Sequence, residues 1–94
     1  MMRVGTLEAR LFIGEANSLK EKRRVLKSLK DNLQNRFNVA VAEVDRQDTW
    51  QVAVLGIAAV AGEKQFVDRL LCKVVDYLRD FRQCHLIDYE LEIY

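Results

Sequence analysis

The sequence predicts an α+β domain of the ferredoxin-like kind. This is a βαββαβ chain whose two helices cover one face of an antiparallel sheet in spatial order 4-1-3-2. Three observations predict it. Apolar and polar residues alternate near both ends of the chain, the pattern of half-buried strands. Two stretches, 18–37 and 63–81, repeat their apolar residues at helical spacing instead. Between them lie two Val- and Ala-rich runs split by a short polar turn, so each helix joins two strands, and right-handed crossovers then fix the topology. The 94 residues make a single domain, 1–94, with enough chain for a core and little to spare.

In residues 3–13, Leu7, Ala9, Leu11 and Ile13 point one way, and Thr6, Glu8, Arg10 and Phe12 the other. Gly14 to Asn17 forms a loop. Ser18 with Glu21 three residues on is a capping box, so a helix starts there and runs to Phe37 without Pro or Gly. At 100° per residue, Val25, Leu26, Leu29, Leu33 and Phe37 share one side. Lys20, Arg23, Arg24, Lys27 and Lys30 fall on an adjacent arc about 120° wide. Lys22 falls within the apolar arc. It is expected to snorkel past the core edge; the alternative is a half-buried lysine paired with a specific carboxylate or anion.

Phe37 to Val44 reads as a second strand, Asp45 to Thr49 as a polar turn, and Trp50 to Ala61 as a central strand apolar on both faces. The second helix, Glu63 to Phe81, carries Phe66, Val67, Leu70, Leu71, Val74, Tyr77, Leu78 and Phe81 on one half of its circumference. The last strand alternates His85, Ile87, Tyr89, Leu91 and Ile93 with Leu86, Asp88, Glu90, Glu92 and Tyr94. His85, on its apolar side, reads as a core histidine.

One sheet face remains open in such a fold. With Leu55 and Ile57 against the helices, Phe12, Trp50, Val52, Val54, Val60 and Leu86 are expected on the open face as an apolar interface patch. The partner that suits such a patch is a second copy of the chain, giving a homodimer.

Composition removes several classes of function. No apolar run reaches the about 18 residues of a membrane-spanning helix. The segment MMRVGTLEAR is charged where a signal peptide needs its apolar stretch, so a cytoplasmic location is expected. Cys72 and Cys84 have no metal-ligand spacing, and Cys72 is expected on the polar face of its helix as a reduced, exposed thiol. No Gly-rich phosphate loop, nucleophile motif or cofactor motif occurs, so no cofactor or metal is expected and the chain reads as non-enzymatic. Glu43, Asp45, Gln47, Asp48 and Gln51 surround Trp50 and could offer oxygens to a divalent cation. Their spacing fits no known loop, however, and a solvated hairpin tip is the better reading. Pairing of Lys22, or of the basic arc near it, with one of these acids is a further possibility.

Charge is uneven. Residues 18–36 hold seven Lys and Arg against two Asp and Glu, a net +5, and residues 84–94 carry −3, within a total of +1. One electrostatically attractive surface is implied, not a uniformly basic protein.

Taken together, SLKEKRR at 18–24, FNVAVAEV at 37–44, AEVDRQDTWQ at 42–51 and LGIA at 55–58 resemble the YlxP-like family of short bacterial proteins of unassigned function. The resemblance runs from Val4 through the second helix and implies a ferredoxin-like fold. Members are commonly encoded beside translation-initiation and ribosome-maturation factors, which implies a role near the ribosome or its RNA. Members often carry Pro before the first helix, and His where this chain has Asn17 and Arg46, so no role needing a histidine at those positions transfers. The family offers no catalytic residues. The leading expectation is thus an accessory protein binding ribosomal RNA or a ribosomal subunit, with phosphates on Lys20, Arg23, Arg24, Lys27 and Lys30. The alternative is a protein-interaction module that dimerises through the open sheet face and grips a protein partner with the 43–51 turn.

Overall fold

A computed structural model describes residues 1–94. The elements are β1 (Arg3–Phe12), α1 (Leu19–Arg36), β2 (Ala40–Asp45), β3 (Val52–Ala61), α2 (Lys64–Asp80) and β4 (His85–Ile93). The sheet order is β2-β3-β1-β4 with every neighbouring pair antiparallel, which is the expected ferredoxin-like topology. Both helices lie on the face formed by Leu7, Ala9 and Leu11 of β1 and by Ala53, Leu55, Ile57 and Ala59 of β3. From α1, Val25, Leu26, Leu29 and Leu33 enter the core, and from α2, Val67, Leu71, Val74, Val75 and Leu78.

The start of α1 is chemically determined. Ser18 Oγ accepts the Glu21 N–H at 3.2 Å, and the Glu21 carboxylate reaches one residue further than a standard capping box, accepting the Asn17 N–H at 2.8 Å. Glycine has a stated reason at Gly5. A Cβ there would sit 2.4 Å from Val67 Cγ1 and 2.8 Å from Leu71 Cδ1, so its absence sets how closely α2 approaches β1.

Several expectations need correction. The register of β1 with β4 shifts between Arg10 and Leu11, which places Leu86 opposite Leu11 and His85 opposite Phe12. Leu86 therefore packs against the core and leaves the open face, whereas His85 is exposed on it. The irregularity adds one residue, Ile87, and a period-2 pattern reverses across such an insertion. Val54 does face the open side, beside Arg10 and Asp45, but it is only 3% exposed and offers a partner little surface. Trp50 lies before β3, in a bend, and the chain pairs as a strand only from Val52. Likewise β2 begins at Ala40, because Phe37 caps α1. Phe66, in the first turn of α2, is 53% exposed, and Val75 takes a buried place on that helix instead.

Candidate nucleic-acid interface

The apolar side of α1 is anchored by Leu29 and Leu33, so its opposite side must face solvent. Lys20, Arg23, Arg24 and Lys27 are all exposed there, and Lys30 is half-buried toward the edge. Lys27 Nζ donates to Asp31 Oδ2 at 2.9 Å, a pairing one turn along that leaves Lys20, Arg23 and Arg24 as the unpaired exposed cations. Arg24, Lys27, Ser28, Asp31 and Asn32 line a shallow depression of 350 Å³ on this side of the helix.

Lys22 behaves differently from its basic neighbours. It is 1% exposed and reaches across to the β2–β3 turn. Its ammonium donates to the Arg46 carbonyl at 2.6 Å and to the Thr49 carbonyl, while Glu43 Oε2 approaches to 2.8 Å and supplies the opposite charge. That carboxylate oxygen lies off the line of the ammonium N–H bonds and is left without a hydrogen bond of its own. The sequence alternative of a buried lysine with a specific carboxylate therefore holds, in place of snorkelling.

The remaining residues of the polar turn serve the turn itself. Asp45 Oδ1 accepts the Arg46 N–H at 2.7 Å, Gln47 Nε2 donates to the Glu43 carbonyl at 3.4 Å, and the Thr49 N–H meets the Arg46 carbonyl at 3.1 Å. Arg46 adopts φ 61°, a left-handed conformation in a residue with a Cβ, and the Lys22 bond to its carbonyl helps hold it there. Asp48 is exposed. Lys22, Glu43, Asp45 and Gln47 thus form one tethered unit, and it stands apart from the basic arc.

The open sheet face divides into two halves. On the β2–β3 side, Ala40, Ala42, Gly56 and Ala58 floor a groove of 370 Å³, with Val44 lying over Gly56. On the β1–β4 side the face is acidic: Glu8 pairs in register with Glu90, and Asp88 and Glu92 flank them. Arg10 is the basic residue among them, and its guanidinium donates to both Asp88 oxygens, Nε to Oδ1 at 2.7 Å. That hydrogen bond holds the Asp88 carboxyl below its ordinary range and raises Arg10 further. Of the interface residues read from the sequence, Phe12, Trp50 and Val52 remain toward one end of this face, near exposed Ile87; Val54 and Leu86 do not join them.

Basic and acidic surfaces therefore sit on opposite sides of the sheet, one on the helical layer and one on the bare face. The net charge of +1 conceals this separation.

Sequence reasoning missed a second feature on the helical side. Tyr77 of α2 lies under the Arg36 guanidinium, 5.0 Å from its ring centroid, with Phe37 edge-on at 6.1 Å and Phe81 at 6.1 Å. Between this cluster and α1 opens a hollow of 400 Å³, to which Ser28 and Asn32 contribute from α1. Arg82 and Gln83 reach it from the segment after α2. Helical periodicity places Ser28 and Asn32 beside the basic arc, but residues 82–83 lie in an irregular link that carries no pattern.

Residues 4–91 match the family described as protein of unknown function (DUF503). The chain belongs to that family. Within DUF503 terms, it is 41% identical over 78 residues to the uncharacterized protein YlxP of Bacillus subtilis (strain 168), covering 83% of this chain and 85% of that protein. The YlxP-like resemblance is thereby established. The DUF503 fold is also similar to that of a de novo designed protein, Foldit4, with a TM-score of 0.55 and 16% identity, covering 100% of this chain and 97% of the other. That likeness concerns fold alone. No helix is long and apolar enough to cross a membrane.

Proposed function

We propose that this protein is a non-enzymatic, cytoplasmic accessory factor that binds the phosphate backbone of RNA, in a ribosomal RNA or a ribosomal particle, through the exposed face of α1. The observation that carries the reading is the segregation of charge. Lys20, Arg23, Arg24 and Lys27 point to solvent from the helical layer, while four carboxylates face the opposite way from the sheet. A polyanion is drawn to one side of such a molecule and repelled by the other, so charge alone orients it. Phosphate contacts position a protein without reading sequence.

The test is RNA affinity across salt. With four or five phosphate contacts, affinity should fall about 100-fold between 50 and 200 mM salt. Arg23→Glu with Lys27→Glu should remove most of it and flatten the salt slope, while the thermal melt stays put because both side chains are exposed. Unchanged affinity in that double variant would refute the reading. In cell lysate the protein should travel with a ribosomal subunit in sucrose gradients and leave it as salt rises.

A second reading, self-association, draws on the exposure of Phe12 (41%) and Trp50 (50%) toward one end of the open sheet face. It predicts a dimer in sedimentation analysis that Phe12→Glu dissociates. A monomer at high concentration speaks against it.

A further inference from the structure

We propose that the hollow between α1 and the C-terminal end of α2 holds one unpaired base of the bound RNA. This rests on the phosphate-binding role of α1, and it adds that the site distinguishes single strands, bulges and loops from duplex.

Position is the first argument. Ser28 and Asn32 line both the hollow and the depression that carries Arg24 and Lys27, so the two surfaces are continuous. A strand whose phosphates follow the basic arc passes the mouth of the hollow.

Chemistry is the second. Asn32 and Gln83 each present an amide with donor and acceptor, and Ser28 adds a hydroxyl, which is the set needed to meet a base edge. Tyr77 and Phe81 supply aromatic surface for the ring. Asp80, also in the lining, offers an acceptor for an exocyclic amino group and repels phosphate, which favours entry of the base over the backbone. Arg82 at the same opening supplies a further cation for a flanking phosphate.

Preorganisation is the third. The Tyr77 ring is held between Arg36 and the Phe37 and Phe81 rings, so a base would meet a surface already in place. The side-chain hydrogen bonds within the chain are made elsewhere, at Arg3, Arg10, Lys22, Lys27 and the turns, so the polar groups of the hollow remain free to bind a ligand. A duplex keeps its bases stacked and cannot enter; a single strand can.

The experiment compares fluorescence anisotropy of a labelled mixed-sequence RNA single strand and of its duplex, using wild type, Asn32→Ala with Gln83→Ala, and Arg23→Glu with Lys27→Glu. Wild type should bind the single strand more tightly. The amide double variant should lose about tenfold for the single strand and nothing for the duplex, with its salt slope unchanged. The charge-reversed variant should weaken on both. As a readout independent of substitution, a strand carrying 4-thiouridine should photocrosslink to the peptide spanning Tyr77 to Gln83. The proposal is overturned if the amide variant binds the single strand like wild type, if it loses both RNAs equally, or if crosslinks avoid that peptide. If the amide variant alone loses affinity, the hollow stands and the α1 reading fails. If wild type binds neither RNA, both fail.

Discussion

Replacing Lys22 with Met tests whether the β2–β3 turn is built around a buried charge. The substitution roughly preserves the apolar stem and removes the ammonium. Two carbonyls, of Arg46 and Thr49, lose their donor, and the Glu43 carboxylate, whose side chain is 19% exposed, loses its counter-charge. Leaving one member of a buried ion pair unpartnered costs about 3–5 kcal/mol, and the low end applies because Glu43 retains some solvent access. A loss of about 3 kcal/mol is a large part of the stability of a small domain and lowers Tm by about 12–24 °C. Urea unfolding followed by the fluorescence of Trp50, the sole tryptophan, and by circular dichroism measures it directly. Adding Glu43→Leu should recover part of the loss, because no orphan charge remains, giving a coupling of about 1–3 kcal/mol. RNA affinity below the melting temperature should be unchanged, since Lys22 lies off the exposed arc. A cost under about 1 kcal/mol, or a double variant that simply sums the two single losses, would refute the account of a charge that organises the turn.

Gly5→Ala should destabilise by about 1–3 kcal/mol in the same unfolding assay, because the new methyl meets the stiff Val67 side chain and forces α2 off β1. Arg46→Gly should raise stability by about 0.5–1 kcal/mol, since φ 61° is unstrained for glycine, and a fall in Tm would show that the arginine side chain outweighs its backbone strain. Exposed Cys72 should react quickly with a maleimide near pH 8, while Cys84, pushed up to about 11 by burial, should stay protected until the protein unfolds. The folded state favours the neutral Cys84 thiol, so its contribution to stability is complete below the ordinary thiol range and is lost as pH rises through about 11. Asp88 runs the opposite way: its stabilising contact with Arg10 is present above the ordinary carboxylate range and fades as pH falls through its lowered value. Asp88→Asn should remove that acid-limb dependence from a pH series of melts. Glu90→Lys should stabilise by about 0.2–1 kcal/mol by ending the like-charge pair with Glu8.

Local rules were sufficient wherever neighbours in sequence are also neighbours in space. The capping box at Ser18 and Glu21, the core stripe Val25, Leu26, Leu29 and Leu33, and the inward set Leu7, Ala9 and Leu11 all follow from periodicity and capping chemistry. Element order plus crossover handedness then yields the sheet order, because few topologies satisfy both. The basic arc was legible for the same reason: once one side of α1 is buried, the position of every exposed cation is determined.

What the sequence could not resolve depends on pairings between distant residues. One extra residue at Ile87 reverses the facing of Leu86 and His85, and a period-2 pattern contains no mark of where a strand slips. Val54 is covered by its sheet neighbours, a matter of register and not of its own hydropathy. Lys22 was identifiable as out of place, but its partners lie more than twenty residues away and became evident only when the turn folded back onto α1. The aromatic cluster and hollow between the helices likewise join residues 28–37 to 77–83, which approach only through core packing. The sequence by itself determined the elements, their order and the charge each carries, since these depend on local chemistry. Tertiary structure alone decided which charge is buried, which apolar residues are exposed and where a ligand could enter, since these depend on register and on packing across the chain.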